Sequence, residues 1–282
     1  PAQPAPDQQR VAAKGRGMKK YFLAAIACLI PALAAAHIII NSSYIGGSSG
    51  YAADAVVFDG GTDYFEKTMP HTGTVANAKY LTISFWFYPI GDNSSDIFAL
   101  TPSGDADSEI YYNGTVEILF KNTSGATTLQ YTSAGSVTVN AWNHFMMSVD
   151  LTNSSNRWVY LNNASDAGTW TTYANANMDL SPADGAIYFG QTADTSQRLS
   201  ARMAEVYIAF GQYLADSAAN RRKLITDAGQ PVNLGDTCNL PTGTQATFCF
   251  RGDATHFPTN VGDGGSFSQS GDLSDAEDSP EL

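Results

Sequence analysis

Three sets of side chains in this 282-residue chain could do chemistry: acidic loops, scattered histidines, and aromatic residues set among amides. Cleaving a glycosidic bond with two carboxylates needs an acid and a nucleophile that flank the bond, about 5 Å apart in a retaining enzyme. An E-x-D-x-x-E strand would supply them, and the chain has none. Glu117 and Glu205 each stand without a second carboxylate two or four residues away, and Glu109 has only Asp107 and Asp105, in a Gly-Asp-Ala-Asp-Ser loop. That run begins like a calcium-binding hand, but Ile110 stands where glycine must turn the loop and Val116 where glutamate must close it. The four histidines come with no G-x-S-x-G elbow. His144, inside Trp142-Asn143-His144-Phe145, reads as a hydrogen-bonded sheet residue, and no catalytic residue is expected.

Sugar recognition is the chemistry the remaining residues suit. It needs aromatic faces for the rings and planar polar groups for the hydroxyls. Trp170, Tyr173, Trp158, Tyr111 and Tyr112 could supply the first, with Asn162, Asn163, Asp166 and Asn175 for the second. Trp158 and Tyr160 equally suit packing within a sheet. Trp170 lies in a polar Gly-Thr-Trp-Thr-Thr-Tyr-Ala-Asn setting and is expected at a rim with its ring exposed. Arg251-Gly252-Asp253 spells an integrin tripeptide, which in a single three-letter match is read as coincidence.

The elements that must carry these groups are strands. Only 15% of residues are charged while 11% are aromatic, and Ser, Thr, Asn and Gly are abundant, which suits many short strands joined by polar turns. Leu81-Thr82-Ile83-Ser84-Phe85-Trp86-Phe87-Tyr88 has a period of two, as do residues 142–150 and 158–162. Further strands are expected at 54–58, 96–100, 109–112, 116–121, 128–132, 186–190, 202–210 and 245–251. Regularly spaced short strands imply an all-β, two-sheet antiparallel sandwich. One short helix is expected near the C-terminus, capped by Asp216 or Ser217, wound through 218–227 and stopped by Gly229 and Pro231.

Charge and leader features set the compartment. Ten cations face 26 acids from His37 onward, a balance of −16, which repels nucleic-acid backbones and anionic lipid. Met18-Lys19-Lys20, an apolar run over 21–33 and Ala34-Ala35-Ala36 have the layout of a secretory signal cut after Ala36. The apolar run falls short of the roughly 20 residues a membrane span needs, so no span is expected once the signal is removed. Residues 1–17 read as an upstream leader or a disordered arm, and 37–54 as a linker leading to the first strand. Cys28 allows a lipoprotein reading, but Ala25-Ile26-Ala27 matches a lipidation box poorly. Cys238 and Cys249 then remain outside the reducing cytosol, where a disulfide is expected.

Val57-Phe58-Asp59-Gly60 with Asp63-Tyr64, Leu81-Thr82-Ile83-Ser84-Phe85-Trp86, Trp142-Asn143-His144-Phe145, Val159-Tyr160-Leu161-Asn162-Asn163, Ile187-Tyr188-Phe189-Gly190 and Ala204-Glu205-Val206 follow one another in a familiar order. Over about residues 55–215 this order resembles the laminin G-like, pentraxin-like branch of the concanavalin A-type lectin/glucanase jelly rolls. One departure is Asn163, where the family has Gly, although Asn also tolerates the left-handed turn conformation. The resemblance implies a jelly roll over 55–228 and a structural calcium ion, with Asp59 and Asp63 as first ligands and the Asp92 to Asp96 loop as second. Asn220-Arg221-Arg222-Lys223, Gly229-Gln230-Pro231-Val232 and Asn260-Val261-Gly262-Asp263 resemble an extension on jelly-roll proteins of tailed bacteriophages. Residues 229–282 would form that extension and end in a disordered acidic tail. The implied function is a non-catalytic binding module, secreted or on a particle surface, whose partner is a glycan or a cell-surface protein. A phage structural or decoration protein on the virion is the alternative, with a glycan-cleaving enzyme third.

Overall fold

A computed structural model describes residues 51–68, 77–91, 94–101, 108–180, 185–192 and 194–280. The signal, leader and most of the linker, and Asp92, Asp105 and Asp107, lie outside the described residues. The strands run β1 Val56–Asp59, β2 Tyr64–Thr68, β3 Tyr80–Pro89, β4 Ser95–Thr101, β5 Ser108–Tyr112, β6 Val116–Lys121, β7 Thr127–Thr132 and β8 Asn143–Asp150. They continue with β9 Arg157–Leu161, β10 Ala164–Ser165, β11 Thr169–Tyr173, β12 Ala186–Phe189, β13 Ser200–Phe210, β14 Phe248–Phe250, β15 Ser268–Ser270 and β16 Ser274–Asp275. All pairings between them are antiparallel, in two eight-stranded sheets. One sheet has the order β10-β9-β8-β3-β13-β1-β16, with β14 also on β13, and the other β11-β7-β6-β5-β4-β12-β2-β15. This is the expected jelly-roll sandwich. Among the described residues no helix is long and apolar enough to cross a membrane.

The strand alternation sends Phe65, Phe98, Ile110, Ile118, Phe120, Leu129 and Phe189 of one sheet against Phe58, Leu81, Ile83, Phe85, Phe145 and Met147 of the other. Phenylalanine dominates the contact. Phe65 stacks on Phe189 with centroids 5.9 Å apart, and Phe250 lies 5.0 Å from Phe189. Phe250 belongs to β14, so the jelly roll draws its core from beyond residue 228.

The two outer faces differ. In β5 and β6 buried and half-buried residues alternate strictly, so one face of that sheet remains open. In β3 and β8 both faces are buried. Trp86, Met146, Trp158 and Tyr207 pack beneath Leu214, Leu224, Ile225, Leu234, Cys238 and Ala246, which come from residues 211–250. Several polar residues on this covered face are matched by the cover. Ser148 Oγ accepts from Leu214 N at 2.9 Å, Thr82 Oγ1 donates to Gln212 O at 3.0 Å, and Trp158 Nε1 donates to Leu214 O at 2.6 Å. Glu205, buried and left-handed at a β13 bulge (φ 46°), accepts from Tyr51 Oη and lies 3.9 Å from Arg251 Nε. That cluster ties residue 51 and the C-terminal segment to the same strand.

Two expectations need correction. The helix α1 spans only Ala218–Arg221, with Ser217 Oγ capping Asn220 N, because Leu224 and Ile225 turn down into the covered face. The C-terminal tail through residue 280 is not disordered. β15 pairs with β2, β16 with β1, and Asp278 forms an ion pair with Arg202.

Two predictions follow from this packing. Cys238 and Cys249 are fully buried and bonded, with Cα atoms 6.4 Å apart. Mass spectrometry of non-reduced protein should find neither alkylated, and Cys249→Ser should lower unfolding free energy by about 3 kcal/mol. His144 is buried against Trp86 with Nε2 2.8 Å from Ser84 Oγ, and burial pushes its pKa down from 6.5 to about 3. The unfolded chain therefore binds the proton first as pH falls, so the stability this group confers is complete above pH 6.5 and is lost toward pH 3. Urea midpoints measured from pH 7 down to pH 4.5 should drop, with about 2 kcal/mol of the loss absent in His144→Gln.

Candidate functional site

The expected sugar residues separate into two places. Trp170 and Tyr173 sit on β11, the edge strand of the open sheet, and both are half-buried against the core. Arg157, from β9 of the covered sheet, lies 4.9 Å from the ring centroids of both, while Tyr131 packs 4.5 Å from Trp170. Tyr173 Oη donates to Asp150 O at 2.8 Å and accepts from Asp150 N at 3.1 Å. A guanidinium over an aromatic face is an attractive contact in its own right. This cluster therefore closes the sandwich edge, and the freely exposed ring expected of Trp170 is not what the structure places there.

Asn162 and Asp166 are likewise engaged by backbone. Asn162 and Asn163, with φ of 51° and 64°, make the two-residue turn between β9 and β10, where asparagine tolerates what glycine usually supplies. Asn162 Oδ1 accepts from His144 N at 2.8 Å, and Asp166 accepts from Ala134 N at 2.8 Å and Gly135 N at 3.3 Å. Asn163 accepts from Arg222 at 2.9 Å. Trp158 is buried in the covered face and Tyr112 in the core.

Tyr111 has a different setting. It lies on the open face of β5, opposite Asp96 on β4 and Glu117 on β6. Along the same face stand Glu109 of β5, Gln130 of β7, Tyr188 of β12, and Tyr64 and Glu66 of β2, all half-buried. Tyr64 and Tyr188 pair at 6.2 Å, and Tyr188 Oη is 3.5 Å from Glu66 Oε1. Burial first, and the Glu117 charge second, raise the Glu109 pKa, opposed by Lys121. Burial, then Glu109 and Asp194, push Asp96 up to about 8. The face thus combines flat rings with hydrogen-bond acceptors at neighbouring register positions, which suits hydroxyl-rich or cationic ligands. Tyr64 and Glu66 were not read as binding residues because β2 carries Lys67 on its inward side and lacks a clean alternation, and Tyr188, on an expected strand, because nothing local shows that its face stays open.

The acidic residues expected to hold calcium also divide. Asp59 Oδ1 accepts from Gly61 N at 2.6 Å, and Asp63 Oδ2 from Asp59 N at 3.1 Å, so both lock the β1–β2 turn. Burial raises the Asp63 pKa, and Gly271 packs so closely that a Cβ there would lie 2.2 Å from Asp63 Oδ1. Asp96, at the start of β4, is fully buried with neither carboxylate oxygen hydrogen-bonded. Among the described residues no three His, Cys, Asp or Glu side chains converge on one point.

A family profile described as the concanavalin A-like lectin/glucanases superfamily, of the laminin G type, matches residues 59–211. The chain belongs to that superfamily. Solved structures align with it at low identity. A candidate carbohydrate binding protein from Bacteroides ovatus aligns over 81% of this chain and 61% of its own, at 10% identity and a TM-score of 0.53. A heptameric SAP-like pentraxin from Limulus polyphemus aligns over 58% and 78%, at 14% identity and a TM-score of 0.42. Mouse laminin α1 domains LG4-5 align over 62% and 48%, at 10% identity and a TM-score of 0.40. No curated protein sequence matches the chain. The superfamily profile ends at Gly211, so the cover over the outer face of one sheet lies beyond it.

The edge cluster predicts a stability defect of defined size. Trp170→Ala should lower unfolding free energy by about 2–3 kcal/mol. A double-mutant cycle with Arg157→Ala should return a coupling of about 0.5–1 kcal/mol.

Proposed function

We propose that this chain is a non-catalytic binding module that takes carbohydrate on the open face of the sheet carrying Tyr64, Tyr111 and Tyr188. The observation that carries this reading is the asymmetry of the two outer faces. Residues 211–250 bury one of them, and the other presents half-buried tyrosines flanked by Glu66, Glu109, Glu117 and Gln130. Aromatic rings set beside planar acceptors match the C–H faces and hydroxyls of a sugar. The Cys238–Cys249 bridge and the signal-like leader favour a secreted location or display on a particle surface. The same face could meet a surface protein, and the virion-decoration alternative draws on the sequence pattern of the C-terminal segment.

Glycan-array binding followed by calorimetry tests the reading. Tyr188→Ala and Tyr111→Ala should each weaken binding about 3- to 10-fold with little change in melting temperature, because both rings are only half-buried. Full affinity in the double variant would overturn this placement. A wild-type protein that retains no glycan would favour decoration or protein binding. Sugar release by the wild type that Glu109→Gln abolishes would make the face catalytic.

A further inference from the structure

A cleft of about 380 Å³ opens at the end of the sandwich where β3 begins and β13 finishes. Asn77, Lys79 and Tyr80 line it from the approach to β3, Phe210 and Gly211 from the end of β13, and Asn177 from the segment after β11. Local pairing builds it. Ala78 N donates to Met178 O at 3.3 Å, Met178 N returns a bond to Ala78 O at 2.8 Å, and Leu180 N donates to Asn77 Oδ1 at 3.0 Å. Gly211 N donates to Tyr80 O at 2.8 Å and Leu151 N to Lys79 O at 2.9 Å. Tyr80 is 38% exposed, whereas Phe210 is 8% exposed and packs 5.7 Å from Phe120. One aromatic wall is therefore open to solvent and the other is rooted in the core. Asp59 pairs with Ser200 at the far end of β13, so the β1–β2 turn lies roughly 30 Å away along that strand.

The lining is rich in donors. The carbonyls of Ala78, Lys79 and Tyr80 are already occupied, and so is Asn77 Oδ1, which leaves the Asn77 side chain its N–H groups. An ammonium carries three donors, and Lys79 Nζ gives one of them to Asn175 Oδ1 at 2.9 Å. Arg202, Arg221, Arg222 and Arg251 each have an acidic partner, while Lys79 forms no ion pair among the described residues. Asp150 stands across from Tyr80 in the register but does not answer that charge, because its two oxygens accept from Thr152 and Asn156. In a chain of net charge −12, a cation at a cleft without a carboxylate of its own calls for one from outside.

We propose that this cleft is a binding site for a single carboxylate-bearing pyranose ring, a uronic or sialic acid unit, with the carboxylate on Lys79 and the ring against Tyr80 and Phe210. Small-molecule pockets run from about 300 to 1,000 Å³, and a cleft at the low end of that range suits one ring and not a chain. Lys79 is the one cation in the lining, which matches the single charge of a carboxylate better than the double charge of a phosphate. A charge-assisted hydrogen bond fixes the acid group, the tyrosine face takes ring C–H groups, and the Asn77 and Asn177 amides meet hydroxyls. Glu66, Glu109 and Glu117 on the open face disfavour the same ligand, so the two places differ in the sign of charge they accept. The cleft stands whether or not the open face takes a sugar.

Calorimetry and saturation-transfer NMR with monosaccharides test the site on the purified chain. D-glucuronic acid and N-acetylneuraminic acid separate the two sources of the carboxylate, while glucose and the methyl ester of glucuronic acid keep the ring without the charge. Expected is one saturable site for at least one of the two acids by about 10 mM, weakened by added salt and lost with the ester. Lys79→Gln should weaken binding about 10-fold or more, and Tyr80→Ala about 3- to 10-fold. Asn177→Asp sets an acid at an exposed lining position and should also weaken it, whereas Lys223→Gln, the same loss of charge at an exposed residue elsewhere, should not. Melting temperatures of the Lys79 and Asn177 variants should match the wild type, since neither side chain is buried. Binding of neither acid, an ester that binds as well as its acid, inorganic phosphate that binds more tightly than both acids, or affinity unchanged in Lys79→Gln would overturn the proposal.

Discussion

The fold turns on the contact between residues 211–250 and the outer face of β3, β8 and β13. A sheet in a sandwich needs only one apolar face, and here the second face of β3 carries Thr82, Ser84 and Trp86. Left to water these would be ordinary. Once covered, each polar atom must be matched or its burial costs free energy. The Thr82–Ser148 pair at 2.8 Å, the Leu214 backbone bonds and the Ser84–His144 contact supply much of that matching. The disulfide and the Glu205–Tyr51–Arg251 cluster then pin the far end of the cover.

Covering one face decides what the rest of the molecule can present. A jelly roll offers two outer faces, two rims and its open edges. One face is filled by the chain itself, and the β9–β11 edge is filled by Arg157, Trp170 and Tyr173. The other sheet has no such segment over it among the described residues. Its half-buried tyrosines and carboxylates remain as the surface with the most varied chemistry, where burial first and the Glu117 charge second raise the Glu109 pKa.

Much of the framework was legible in the sequence because inner and outer residues alternate in chemical type. In β5 and β6 Ile110, Val116, Ile118 and Phe120 are buried while Glu109, Glu117 and Lys121 are half-buried, as the alternation indicates, with buried Ser108 and outward Leu119 as the departures. Where both faces are buried the pattern still signalled a strand, although nothing local says that Thr82 and Ser148 are covered. β2 was missed because Lys67, 8% exposed, points inward and donates to Ser266 O at 3.5 Å. β15 and β16 were missed because Ser, Gln and Asp carry no strand signal, and they pair only because the edges of β2 and β1 lie beside them. For the site, the polar neighbourhood of Trp170 suggested exposure, yet Arg157 and Tyr131 come from elsewhere in sequence. Aromatic contacts made across sheets leave no local trace.

The acidic residues show the same limit in electrostatic form. Counting carboxylates along one strand finds none of the pairings that matter here, since Asp96, Glu109 and Glu117 belong to three successive strands. They meet because β4, β5 and β6 form a meander whose registers bring them to neighbouring positions. The bulge between Asp96 and Phe98 adds to this by letting both Ile97 and Phe98 enter the core while Asp96 still faces Tyr111. A carboxylate at such a bulge is placed by the backbone and not by its own solvation. It is therefore held in an environment it would not choose, and the groups around it must supply what water does not.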